Sequence, residues 1–243
     1  MSDKCQTEST ADRRDLLKLI GVAGAAVRHL PLSDAASAEL SADHKARDTV
    51  PAAGSRAISA GYEFFDSNES AFIESAVDTL IPADPVAPGA AELGVGPYID
   101  RQMAGGYGKD DQLYLKGPFG EETAQQGYQL PTNPSELIRV GIAAVNNYTK
   151  KQYQKTFAAL SAEDRLRVML DLAAEKVSLP SLPTETFFGL LLQLTIEGYL
   201  ADSMHGDNNA RASWKMIGFP GATRGRSPTS LGNKPCTAQP MGI

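Results

Sequence analysis

The stretch EGYLADSMHGDNNARASWKMIGFPG, residues 197–221, decides the reading of this 243-residue chain. It holds the chain's single Trp, Trp214, and one of its three His, His205. It enters as helix, because Leu190, Leu191, Leu194, Ile196 and Leu200 leave few gaps in an apolar face. Turn formers then interrupt the pattern from Ser203 to Asn209, and Asp207 or Asn208 is placed to cap a new helix. Trp214, Met216, Ile217 and Phe219 supply that next element, and Gly218, Pro220 and Gly221 end it. A polar turn held between two apolar helices must satisfy its own backbone groups, which is work for Asp207, Asn208 and Asn209.

Outward from this stretch the periodicity stays helical. Asp66 or Ser67 caps a helix whose stripe is Phe72, Ile73, Ala76, Val77 and Leu80, stopped at Ile81-Pro82. A stiff loop through Pro82, Pro85, Pro88 and Gly89 leads to a second helix from Gly94 to Met103. Ser135 is positioned to cap a long helix carrying Leu137 through Phe157, and Ser161-Ala-Glu-Asp164 opens another over Leu166–Ala173. Thr184 opens the helix that runs to Leu200. No clear alternating run of β-branched residues occurs. The fold class is therefore all-α: one irregular helical domain over 61–221 with long loops. The loop 105–134 carries several aromatic residues, and a loop of that length inside a compact domain is usually functional or at a partner interface.

The flanks differ from this body. Arg13-Arg14 precede a short run from Leu19 to Val27 rich in Gly and Ala, the pattern of a twin-arginine export signal. Ala36-Ser37-Ala38 offers a small-residue cleavage site, so residues 1–38 read as a signal peptide. Residues 39–60 read as a flexible linker, and 222–243, rich in Gly, Pro, Ser and Thr, as an extended tail.

Charge and motif content exclude several classes. Twenty-three Lys and Arg against 29 Asp and Glu give a net charge of −6, which argues against a nucleic-acid or anionic-membrane surface. No run of 18 apolar residues marks a transmembrane helix, so membrane association would come through a partner. Cys5 falls in the presequence, leaving Cys236, an odd thiol suited either to an intermolecular disulfide or to a solvated role. There is no C-x-x-C-H for haem and no cysteine cluster for iron–sulfur or zinc. A strand-borne G-x-G-x-x-G for flavin or nicotinamide is also missing. No catalytic, cofactor-binding or metal residue is assigned on this chain.

Two sets of residues keep alternatives open. His205 with Asp202, Asp207 and Glu197 reads as an acid–base or metal constellation, or as a turn whose acids pair with Arg211 or Lys215. Trp214, Phe219 and Tyr199 read as buried aromatics joining two helices, or as part of a partner surface in which Trp is over-represented among hot spots.

The stretch 197–221 resembles the signature of the small (third) subunit of the gluconate 2-dehydrogenase family. A second block agrees: Asp78-Thr-Leu-Ile-Pro-Ala-Asp84, Pro88-Gly-Ala90 and Gly94-Val95. One departure is visible, for where the family reads D-P-x-Y-G-G-N this chain has Asp202-Ser-Met-His-Gly-Asp-Asn208. The resemblance implies a non-catalytic subunit of a membrane-associated dehydrogenase complex for a sugar or sugar acid. It implies FAD on a large partner subunit and haem c on a multihaem cytochrome subunit, with none on this chain. It further implies export of the flavin subunit alongside this chain to the periplasm, at the outer face of the inner membrane. The candidate interface residues are Trp214, His205, Asn208, Phe219 and Cys236. The competing readings are a free-standing periplasmic helical enzyme using His205, Asp202 and Asp207, and a binding module whose 105–134 loop holds a ligand.

Overall fold

Helix α5 (Thr184–Leu200) is apolar on nearly every side, with Phe187, Phe188, Leu190, Leu191, Leu192, Leu194 and Tyr199 all buried. A helix of that kind belongs deep in a bundle, where neighbours cover all but the strip carrying Glu185, Gly189, Gln193 and Glu197. In the computed structural model, which describes residues 61–111, 117–120, 127–205 and 208–221, three helices surround it. They are α2 (Val95–Ala104), α3 (Pro134–Tyr153) and α4 (Ala162–Ala173). Helix α1 (Ser67–Leu80) lies across the same neighbours and against the short 3₁₀ turn Phe157–Ala159. The last helix, α6 (Ala212–Ile217), closes the C-terminal end of α5. The described residues contain no strand, so the fold is all-α.

Each start signal has a local cause. Asp66 accepts from the amides of Asn68 and Glu69 while the Glu69 carboxylate reaches back to the Asp66 amide, a reciprocal capping box. Ser161 caps α4 through the Asp164 amide. The long helix begins earlier than its sequence indicates. Asn133 is the cap, accepting from the Glu136 amide at 2.9 Å, and Ser135 lies in the first turn and donates its hydroxyl to the Asn133 side chain. Pro134 belongs at that first position because it has no N–H to leave unpaired. The same helix ends at Tyr153, where Gln154 turns left-handed, so Phe157 enters the core from a 3₁₀ turn instead.

The core is one cluster. Phe72 of α1 meets Phe157 with ring centres 4.8 Å apart, and Ile73, Val77, Leu80, Ile99, Leu137, Val168, Leu172, Phe187 and Leu191 fill the space between helices. Gly141 on α3 lets α5 come close, since a Cβ there would overlap the Phe187 ring.

Two polar anchors fix the segment that leads into α1. Asp100 on α2 is 1% exposed, and its carboxylate accepts from the amides of Glu63 (2.5 Å), Phe64 (3.0 Å) and Phe65 (2.8 Å). Arg139 on α3 lies 3.6 Å over the Phe64 ring, donates to the Phe64 carbonyl at 2.7 Å and pairs with Glu69 at 3.5 Å. Tyr62 adds a hydrogen bond to Glu74.

Candidate functional site

The turn after α5 is built around Asn208, which is fully buried. Its Nδ2 donates to the Ala201 carbonyl at 2.9 Å and its Oδ1 accepts from the Ser213 amide at 3.0 Å. One side chain thus ties the end of α5 to the first turn of α6, although the cap position itself is Arg211 and not the Asp207 or Asn208 that the sequence suggests. Asn208, Ala210 and Arg211 all have left-handed backbone, with φ of 50°, 55° and 54°. Asn accepts that region readily, whereas for Ala and Arg it costs about 1 kcal/mol each. Surrounding bonds hold the strain in place: the Arg211 amide donates to the Asn208 carbonyl at 2.7 Å, and the Arg211 side chain pairs with Asp202 at 3.7 Å.

Asp202 is occupied structurally. Besides Arg211, its Oδ1 accepts from the Met204 amide at 3.3 Å and from the Ser203 hydroxyl at 3.4 Å. Glu197 accepts from Gln193 at 2.8 Å. His205 is exposed, and its backbone carbonyl accepts from Arg101 of α2 at 2.6 Å. Among the described residues no three His, Cys, Asp or Glu side chains come together as a metal set. The structure therefore gathers His205 and Asp202 into one turn but commits the Asp202 carboxylate to the turn's own amides and to Arg211.

The aromatic set is divided between inside and outside. Trp214 is 8% exposed and donates its indole N–H to the Leu200 carbonyl at 2.8 Å. Phe219, 44% exposed, meets that indole edge-on at 4.9 Å. Tyr199 is buried and donates its hydroxyl to the Pro88 carbonyl at 3.1 Å. Of the candidate interface residues, Trp214 and Asn208 lie within the body, while His205 and Phe219 are exposed. Arg13, Arg14, Ala36, Ala38 and Cys236 lie outside the described residues, as do Asp207, the 39–60 linker and the 222–243 tail.

The other sequence block, residues 78–95, proves to be a backbone clasp. Asp84 accepts from the amides of Val86 (2.8 Å) and Ala87 (2.9 Å), and the Ala90 amide donates to the Ile81 carbonyl at 2.9 Å. Gly89 is required there, because a Cβ would stand 2.8 Å from the Ala83 nitrogen. Tyr199 then bolts this clasp to α5, and Gly198 lets Tyr98 and Val95 of α2 approach the same turn of helix.

Inside the described parts of the 105–134 loop, Tyr107 and Tyr128 point their phenols inward. Burial raises both phenol pKa values above the ordinary 10. Next in weight are the Glu197 charge for Tyr107, and Tyr107 followed by Asp110 for Tyr128. Tyr62 is raised first by burial and then by its hydrogen bond to Glu74. Residues 112–116 and 121–126, where a loop-held ligand would also find partners, lie outside the described residues.

Asp100 and Arg139 are the residues that sequence reasoning missed. An Asp inside a helix reads as solvated, and the amides that donate to it lie more than 30 positions away in the chain, beyond the reach of periodicity. The one available signal was that the amides of Phe64 and Phe65, ahead of a cap, need acceptors from somewhere.

No helix among the described residues is long and apolar enough to cross a membrane. No curated protein and no solved structure matches the chain significantly. A family model described as gluconate 2-dehydrogenase subunit 3 matches residues 67–221, from the first turn of α1 to the glycine after α6. The chain belongs to the gluconate 2-dehydrogenase subunit 3 family.

Proposed function

We propose that this chain is the non-catalytic small subunit of a membrane-associated dehydrogenase for a sugar or sugar acid. Its partners are a large FAD-bearing subunit and a multihaem cytochrome c subunit, and its tasks are to stabilise the flavin subunit and to accompany it through twin-arginine export. The observation that carries this reading is the family match over nearly the whole helical body. The local geometry agrees in kind: Asp202, beside His205, is engaged in closing a turn, and the two blocks that distinguish the sequence are devoted to joining α2, α5 and α6. The twin arginines, Arg13 and Arg14, support the export task. On this reading the escort reaches the periplasm already folded and carries its partner with it, so the flavin subunit needs no signal of its own.

The test is to co-express the full chain, with and without Arg13→Lys/Arg14→Lys, beside a gluconate 2-dehydrogenase-type flavin subunit from the same source. Periplasmic dye-linked dehydrogenase activity is the readout. The double substitution should leave flavoprotein and activity in the cytoplasm. Export of the flavoprotein regardless would end the escort role, and substrate oxidation by this chain alone would end the non-catalytic one.

A further inference from the structure

We draw no further inference here: the strongest candidate, the groove between α3 and the 178–181 loop lined by Val140, Tyr148, Lys151 and Leu179, is an unpartnered and largely apolar surface, and nothing in the structure shows what covers it.

Discussion

Asp100→Asn keeps the shape of the side chain and removes its charge, which makes it a direct probe of how α1 is entered. In the structure one carboxylate serves three amides, with Phe64 and Phe65 on Oδ1 and Glu63 on Oδ2. Asparagine presents a single acceptor oxygen. Two bonds therefore fall from charge-assisted to neutral, each losing about 1 kcal/mol. The third is replaced by an N–H facing an N–H. Because Glu63 is exposed, water relieves part of that conflict, leaving a further cost of about 1 kcal/mol. The sum is about 3 kcal/mol, which for a body of this length lowers Tm by about 6–12 °C. Urea unfolding followed by helical circular dichroism measures it, with Asp171→Asn as the comparison. Asp171 pairs at 3.6 Å with Lys176, whose side chain is 71% exposed, so loss of the pair should cost about 0.5 kcal/mol or less. An Asp100→Asn variant within about 1 kcal/mol of wild type would show that the three amides find other acceptors, and the cradle would lose its assigned role.

Two glycines on facing helices should respond in opposite directions. Gly141→Ala drives a methyl into the Phe187 ring and should destabilise by about 1–3 kcal/mol despite the better helix propensity of Ala. Gly189→Ala meets open space on the exposed side of α5 and should stabilise by about 0.5–1 kcal/mol in the same melts. The phenols of Tyr62, Tyr107 and Tyr128, all raised above 10 in the folded chain, keep their protons when the unfolded chain gives them up. Stability is then whole below pH 10 and falls as pH rises above it, and Tyr128→Phe should make that fall shallower. Phenolate absorbance follows the titration directly; release of every tyrosine proton together near pH 10 in the native protein would refute the burial argument.

Helix number and order were legible because each apolar stripe repeats at helical spacing and three starts carry a polar cap: Asp66, Ser161 and Asn133, the last of these two residues ahead of the Ser135 that the sequence suggests. Periodicity sees local spacing, and it failed where the deciding contact was distant. Nothing near Asp100 in sequence announces that its oxygens serve residues 63–65. The site shows the same division. The composition of residues 202–209 marked a turn that must satisfy itself, yet which polar residue turns inward was settled only by the left-handed run at Asn208, Ala210 and Arg211. Trp214 was open between core and surface for a similar reason, since its indole finds its acceptor at Leu200, across the turn.

The two blocks that carry the family likeness lie more than 100 residues apart and touch in the fold. Tyr199 of one donates to Pro88 of the other, and Gly198 makes room for Val95 and Tyr98. What these residues have in common is closure: an aspartate gathering loop amides, a glycine admitting backbone against backbone, an asparagine bridging two helix ends. Asp84 and Gly89 close the loop that follows α1, Tyr199 joins that loop to α5, and Asn208 joins the end of α5 to α6. The most specific residues of the two blocks are thus invested in closing one end of the bundle, where Ile217 and Phe219 stand exposed.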